Sequence, residues 1–139
     1  MIYGNFSDGA KEDSGSKPNN LYGESKLVAE RYTKHYHIHN GVEYNIVRPS
    51  GVYGPGDMDD RVLSKFFAQA MANKKIEVHD GSNKVDFTYV DDIVNGVIRV
   101  LDRPAQPNQH WTGDTPDSGT SQAPWRVYNI GNNSPVDLL

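Results

Sequence analysis

Three stretches with apolar residues at three- to four-residue spacing alternate along this chain with short runs of β-branched and aromatic residues. That alternation is the pattern of an α/β fold. The first helical stretch runs from about Leu21 to Asn40, with Leu27, Val28, Tyr32 and Tyr36 as its apolar stripe and Gly41 at the C-cap. The second follows a cap at Asp59 or Asp60 and reaches about Lys74, with Val62, Leu63, Phe66, Phe67 and Ala70 facing inward. The third starts at Asp91 and runs to about Leu101 on Ile93, Val94, Val97, Ile98 and Leu101, and Arg103-Pro104 ends it. Between them, Val42–Val47, Ile76–His79, Phe87–Val90 and Arg126–Ile130 have strand character, and Met1–Gly4 reads as the tail of another strand. Asn5–Asn20, the glycine-dense Gly51–Gly56, the turn at Asp80–Asn83 and the long polar Pro104–Pro124 are loops. Ser134, as a cap before Pro135, marks the start of a fourth helix.

Opening inside a strand and closing at the start of a helix, the 139 residues are expected to be a piece of a larger α/β protein. Three or four short strands make a poor sheet alone. The 36 % hydrophobic content, beside 13 Gly and 8 Pro, agrees with a core that is not self-sufficient. The net charge of −4 argues against a nucleic-acid partner, because a phosphate backbone calls for a surplus of Lys and Arg. No apolar run reaches membrane-spanning length, so no membrane partner is expected. The absence of Cys excludes disulfides and thiolate metal sites and is compatible with a cytoplasmic setting.

The chemistry centres on Tyr22-Gly23-Glu24-Ser25-Lys26. Residues four apart on a helix share a face, so the phenol and the ammonium converge on one ligand. A free tyrosine ionises near pH 10, and a neighbouring ammonium favours the phenolate, which suits the pair to proton transfer. Eight Tyr and eight Lys in 139 residues give roughly 0.5 such spacings by chance. The pair therefore takes its meaning from the motifs that follow it.

Those motifs are Tyr3-Gly4, Arg48-Pro49-Ser50-Gly51-Val52-Tyr53-Gly54-Pro55, Asp86-Phe87-Thr88-Tyr89-Val90-Asp91-Asp92 and Arg126-Val127-Tyr128-Asn129-Ile130-Gly131. In this order, around Tyr22-xxx-Lys26, they resemble the extended short-chain dehydrogenase/reductases. More narrowly, they resemble the NAD-dependent nucleotide-sugar epimerase/dehydratase branch. The stretch from His110-Trp111-Thr112 through Ala123-Pro124-Trp125 to Gly131 is similar to the UDP-glucuronate 4-epimerases.

The resemblance covers essentially the whole chain but only the middle and later part of such an enzyme. It implies a partial Rossmann-type doubly wound parallel sheet plus part of a smaller substrate-binding domain. Residues 1–139 would then be a fragment lacking the N-terminal glycine-rich NAD-binding half. It also implies NAD as cofactor, a nucleotide sugar (a UDP-sugar) as substrate, and a homodimer in the full-length enzyme. Tyr22 would be the proton-transfer residue, and Lys26 would hold the nicotinamide ribose while favouring the Tyr22 phenolate. Pro49 and Ser50 would line the nicotinamide pocket. Gly51, Arg61, Lys84 and Arg126 would contact substrate. The activity implied is epimerisation through transient oxidation of a sugar hydroxyl. A nucleotide-sugar dehydratase or decarboxylase is an alternative within the class, and a truncated non-catalytic relative that binds a nucleotide or a partner chain is an alternative outside it.

The sequence departs from the family pattern at several places. The glycine-rich phosphate cradle is not in these residues. The substrate-binding Ser/Thr that precedes the Tyr-Gly pair would fall before Met1. Val85 stands where the family carries a diphosphate-binding Arg, with Lys84 beside it as the candidate substitute. The glucuronate epimerases carry Thr at the position of Gly51, and an Arg-Pro-Asp-Met run where this chain has Met58-Asp59-Asp60-Arg61. Arg61 is therefore the candidate for the sugar carboxylate from a shifted position.

Three further groups have plainer explanations. His35, His37 and His39 fit a solvated helix end better than a metal site, since His37 points away from the other two. Asp91 and Asp92 fit a cap and first-turn anions. Trp111 and Trp125 flank the long loop and either close over a substrate or pin the loop to the core.

Overall fold

The computed structural model of the chain describes residues 2–5, 9–78 and 84–138. Its elements run α1 (Leu21–Asn40), β1 (Tyr44–Pro49), β2 (Gly51–Tyr53), α2 (Val62–Met71), β3 (Lys84–Val85), β4 (Phe87–Tyr89), α3 (Val90–Asp102), β5 (Trp125–Ile130) and β6 (Val136–Asp137). The alternation expected from the sequence is therefore present, and the fold is mixed α/β with a parallel strand pair. The chain forms two compact units, Met1–Arg48 with Arg99–Asn129, and Pro49–Ile98 with Ile130–Leu139.

In the first unit, α1 forms where its two caps place it. The Asn20 side chain accepts from the Gly23 N–H at 2.8 Å, and Gly41 closes the other end at φ 67°, where a side chain would be strained. Strand β1 hydrogen-bonds β5. Packing centres on Trp125 and Val127 of β5, Leu27 of α1 and Ala105, all buried. Tyr44 stacks on Trp125 with centroids 5.6 Å apart, and the Lys34 ammonium lies 5.4 Å from the Trp125 ring on this side.

In the second unit, β2 pairs in parallel with β4, and β3 pairs antiparallel with β6. Among its described residues the buried side chains are Thr88 and Ile93. A Cβ on Gly96 would sit 2.8 Å from Ile130, so the missing side chain lets α3 approach the end of β5.

Several expectations are corrected. Ile2 and Tyr3 form a turn rather than a strand tail. The glycine-dense Gly51–Gly56 is half strand, because Gly51–Tyr53 joins the β2–β4 ladder. Helix α2 starts at Val62 and ends at Met71, and its cap position is Arg61, which makes no side-chain capping bond, not Asp59 or Asp60. Ile76–Val78 is not a strand, while the turn at Asp80–Asn83 and the position of His79 lie outside the described residues. Ser134 does not open a helix. Its N–H goes to the Asp86 carboxylate at 3.0 Å, and Val136-Asp137 pairs with β3 instead.

The inward stripes are corrected too. Of the first helix's stripe only Leu27 is buried, while Tyr32 is 72 % and Tyr36 64 % exposed. Phe67 of α2 and Val94, Val97, Ile98 and Leu101 of α3 are also exposed. Helical periodicity identifies the apolar face of a helix; whether that face is covered depends on what packs on it. Among the described residues, no helix is long and apolar enough to cross a membrane.

Candidate active site

The first turns of α1 carry the Tyr/Lys pair. The Asn20 cap fixes where the helix starts, and the spacing of four then sets both side chains on one face. The Lys26 Nζ lies 5.0 Å from the centre of the Tyr22 ring, and Tyr22 is 57 % exposed. Beneath them Gly23 is buried, so the helix packs through its backbone while its phenol and ammonium face outward. Ser25, between the two, turns its hydroxyl back to the Tyr22 carbonyl at 2.7 Å and plays no part on that face.

One turn further along α1, Glu30 receives both arms of Arg48 from β1, at 2.9 Å to Oε1 and 2.7 Å to Oε2. The side chains are only 15 % and 11 % exposed. Arg48 Nη1 also donates to the Tyr3 hydroxyl at 2.5 Å, its guanidinium lies 4.8 Å over the Tyr3 ring, and the Tyr3 hydroxyl donates to Asn129 Oδ1 at 2.7 Å. Asn129 in turn donates its side-chain amide to the Ala10 carbonyl at 2.9 Å and its backbone N–H to Glu12 at 2.8 Å. Burial works against the charge on Arg48, but the bonds to Glu30 and Tyr3 outweigh it and raise its pKa. This network leaves no signal in the sequence, since its members lie up to 126 residues apart.

Arg126, on β5, lines an open cleft of about 360 Å³ together with Lys11, Glu12, Asp117 and Tyr128. Its Nε is buried without a hydrogen-bond partner. Asp117 in the same cleft is held below the usual carboxylate range, first by the Thr120 hydroxyl at 2.6 Å and then by the Gly119 N–H at 2.7 Å. Trp111 donates its Nε1–H to the Asp117 carbonyl at 3.1 Å, and Trp125 is buried against Tyr44. Trp111 is thus bonded within the long loop, and Trp125 packs on β1 at the end of it.

The remaining candidates belong to the second unit. Pro49 is exposed. Ser50 donates its N–H to the Ile130 carbonyl at 2.8 Å and its hydroxyl to the Asp86 carbonyl at 2.9 Å, so both donors serve the backbone. Gly51 sits in β2, where a Cβ would stand 3.0 Å from the Val85 side chain and 3.1 Å from the Asp86 carbonyl. Arg61 is exposed at the start of α2. Lys84 pairs with Asp137 at 3.6 Å, both well exposed.

Asp86 is the residue the motif contained without revealing its part. Its carboxylate accepts the N–H groups of Ser134 at 3.0 Å and Asn133 at 3.2 Å, and Thr88 beside it accepts that of Asn132 at 3.0 Å. Together they hold the turn after β5. Of the histidines, His37 contacts the Val42 carbonyl at 2.7 Å, and among the described residues no three His, Cys, Asp or Glu side chains are placed to hold a metal.

An α/β fold with an outward-facing Tyr/Lys pair on one helix face agrees with the dehydrogenase/reductase pattern expected from the sequence. Residues 1–131 match the NAD dependent epimerase/dehydratase family, and the chain belongs to it. It is 42 % identical over 132 residues to protein CapI of Staphylococcus aureus, a match covering 91 % of this chain and 38 % of CapI. It is 33 % identical over 136 residues to UDP-glucuronate 4-epimerase 1 of Arabidopsis thaliana, covering 93 % of this chain and 30 % of that protein. The crystal structure of the Bacillus cereus UDP-glucuronic acid 4-epimerase in complex with NAD superposes with a TM-score of 0.79 at 26 % identity, over 99 % of this chain and 39 % of that one. The chain thus spans less than two fifths of the length of these relatives.

Proposed function

We propose that these residues carry the proton-transfer pair of an NAD-dependent nucleotide-sugar 4-epimerase acting on UDP-glucuronate or a close relative of it. The observation that carries the reading is the Lys26 ammonium, 5.0 Å from the Tyr22 ring on a capped helix that leaves both groups outward. Their chemistry fits the nicotinamide-ribose end of NAD: an ammonium to donate to ribose hydroxyls beside a phenol to exchange a proton with the sugar. NAD, when bound, supplies a reversible hydride acceptor.

Tyr22 handles the proton. As phenolate, its Oη accepts the proton of the sugar 4-hydroxyl while that carbon is oxidised, and returns it after the sugar has turned its other face. Lys26 stabilises the phenolate by its charge. Arg126, whose buried Nε has no hydrogen-bond partner, is our candidate in the first unit for an anionic group of the substrate, with Lys11 in the same cleft. Arg61, exposed, is a second candidate for a sugar carboxylate. Pro49 and Ser50 would serve the nicotinamide pocket through the backbone that the Ser50 bonds hold in place. Lys84, already paired with Asp137, is the weakest substrate contact.

The pyrophosphate cradle of a Rossmann fold needs a glycine-rich turn leading into a helix, and these 139 residues contain none. Alone, they are expected to bind NAD weakly and to turn over no substrate. Mixed with the separately produced glycine-rich segment of a relative, they are expected to interconvert UDP-glucuronate and its 4-epimer, followed by chromatography. Tyr22→Phe should abolish that conversion and Lys26→Met should cut it by roughly 10²-fold or more. Conversion that survives Tyr22→Phe would overturn the assignment, and turnover by the chain alone would overturn its expected inactivity.

A further inference from the structure

We infer that Arg48 is a positioning residue: it holds the Glu30 carboxylate away from Lys26 and so leaves the Lys26 ammonium to Tyr22. The inference rests on the reading of Tyr22 and Lys26 as the proton-transfer pair, and it extends that pair to two residues that do not touch substrate. Tyr22, Lys26 and Glu30 stand at i, i+4 and i+8 on α1 and form a ladder along one face. Lys26 has two neighbours at helical spacing, a phenol one turn before it and a carboxylate one turn after it. Left alone, Lys⁺ and Glu⁻ four apart attract each other.

The structure shows the competition resolved. Both Glu30 oxygens are taken by the Arg48 fork, at 2.9 and 2.7 Å, in a setting where Glu30 is 15 % exposed. Among the described residues Lys26 makes no ion pair, and its ammonium is over the Tyr22 ring. A point-charge lysine at position 48 could not hold both oxygens at once, whereas a guanidinium does so in one plane. Arg48 is itself held by the Tyr3 hydroxyl, so its fork is anchored from the opposite side. The titratable groups facing Glu30 are Arg48 and Tyr44 on β1, with Tyr3 reached through Arg48.

The test is the ring-current shift that the Tyr22 ring imposes on the Lys26 side chain in the 139-residue chain, followed by NMR and assigned with Tyr22→Phe. In Arg48→Met the freed Glu30 draws Lys26 from the ring, and the shift should be largely lost. In Glu30→Gln the shift should stay at the parent value, and in Glu30→Gln/Arg48→Met it should return to it. A merely structural loosening of α1 would not be rescued by the second substitution.

If Arg48→Met does not fold, Arg48→Lys gives the same loss of ring-current shift, smaller in size. A parent-like shift in every folded Arg48 variant, or a lost shift that persists in the double variant, overturns the inference. The catalytic reading stands or falls separately, on the loss of conversion in Tyr22→Phe.

Discussion

The Glu30–Arg48 pair should be the costliest single interaction to break in the first unit. Its side chains are 15 % and 11 % exposed, and three hydrogen bonds of 2.5–2.9 Å converge on one guanidinium. Arg48→Met leaves the Glu30 carboxylate without its two-armed partner, a loss that the single Lys26 ammonium does not replace, which costs about 3–5 kcal/mol. Glu30→Met strands the guanidinium in the same way, at about 3–5 kcal/mol. Glu30→Met/Arg48→Met replaces both charges with apolar groups of similar length, and its cost should be well below that sum, leaving a coupling energy of at least about 2 kcal/mol.

The assay is urea unfolding followed by fluorescence of Trp125, which stacks on Tyr44 in the same unit. With a slope of about 1.5 kcal/mol per molar urea, Arg48→Met should lower the midpoint by roughly 2–3 M. Few side chains are buried among the described residues, so that loss is a large part of any total stability. A loss below about 1 kcal/mol at unchanged slope, or single losses that simply add, would show that the pair behaves as an exposed one and would refute the reasoning.

Other substitutions probe the remaining contacts. In Gly131→Ala the new Cβ runs into the Asp86 carboxylate that holds the Asn133 and Ser134 amides, and a loss of about 1–3 kcal/mol is expected in the same unfolding assay. Tyr44→Phe removes a buried hydroxyl that has no partner and should stabilise by about 1 kcal/mol. Burial, and then the Glu30 charge, push the Tyr44 phenol up to about 12. Its contribution is therefore present below the unfolded value near pH 10 and lost as pH rises toward 12, and Tyr44→Phe should lessen the alkaline loss of stability. Asp117 has the opposite sign: its lowered pKa gives stability above the unfolded value of about 3.9 that is lost as pH falls. In Asp117→Asn the acid limb of the stability curve below the unfolded carboxylate value should flatten.

The sequence by itself determined the three helices, the strands β1, β4 and β5, the cap Gly41, and the coincidence of Tyr22 and Lys26 on one helix face. These are local properties, set by spacings of three or four residues and by turn chemistry, so they survive without knowledge of the rest of the chain. The ordered motifs likewise carried the family. Tertiary structure decided what local rules do not reach. It made Gly51–Tyr53 a strand because β4 lies beside it, and turned Ser134 from an expected helix cap into a donor to Asp86. It left Tyr32 and Tyr36 exposed, although their spacing suits a buried stripe. It joined Glu30, Arg48, Tyr3 and Asn129 into one network. Each of these depends on a partner tens of residues away, and a hydrogen bond or an ion pair leaves no periodic trace in the sequence on either side of that gap.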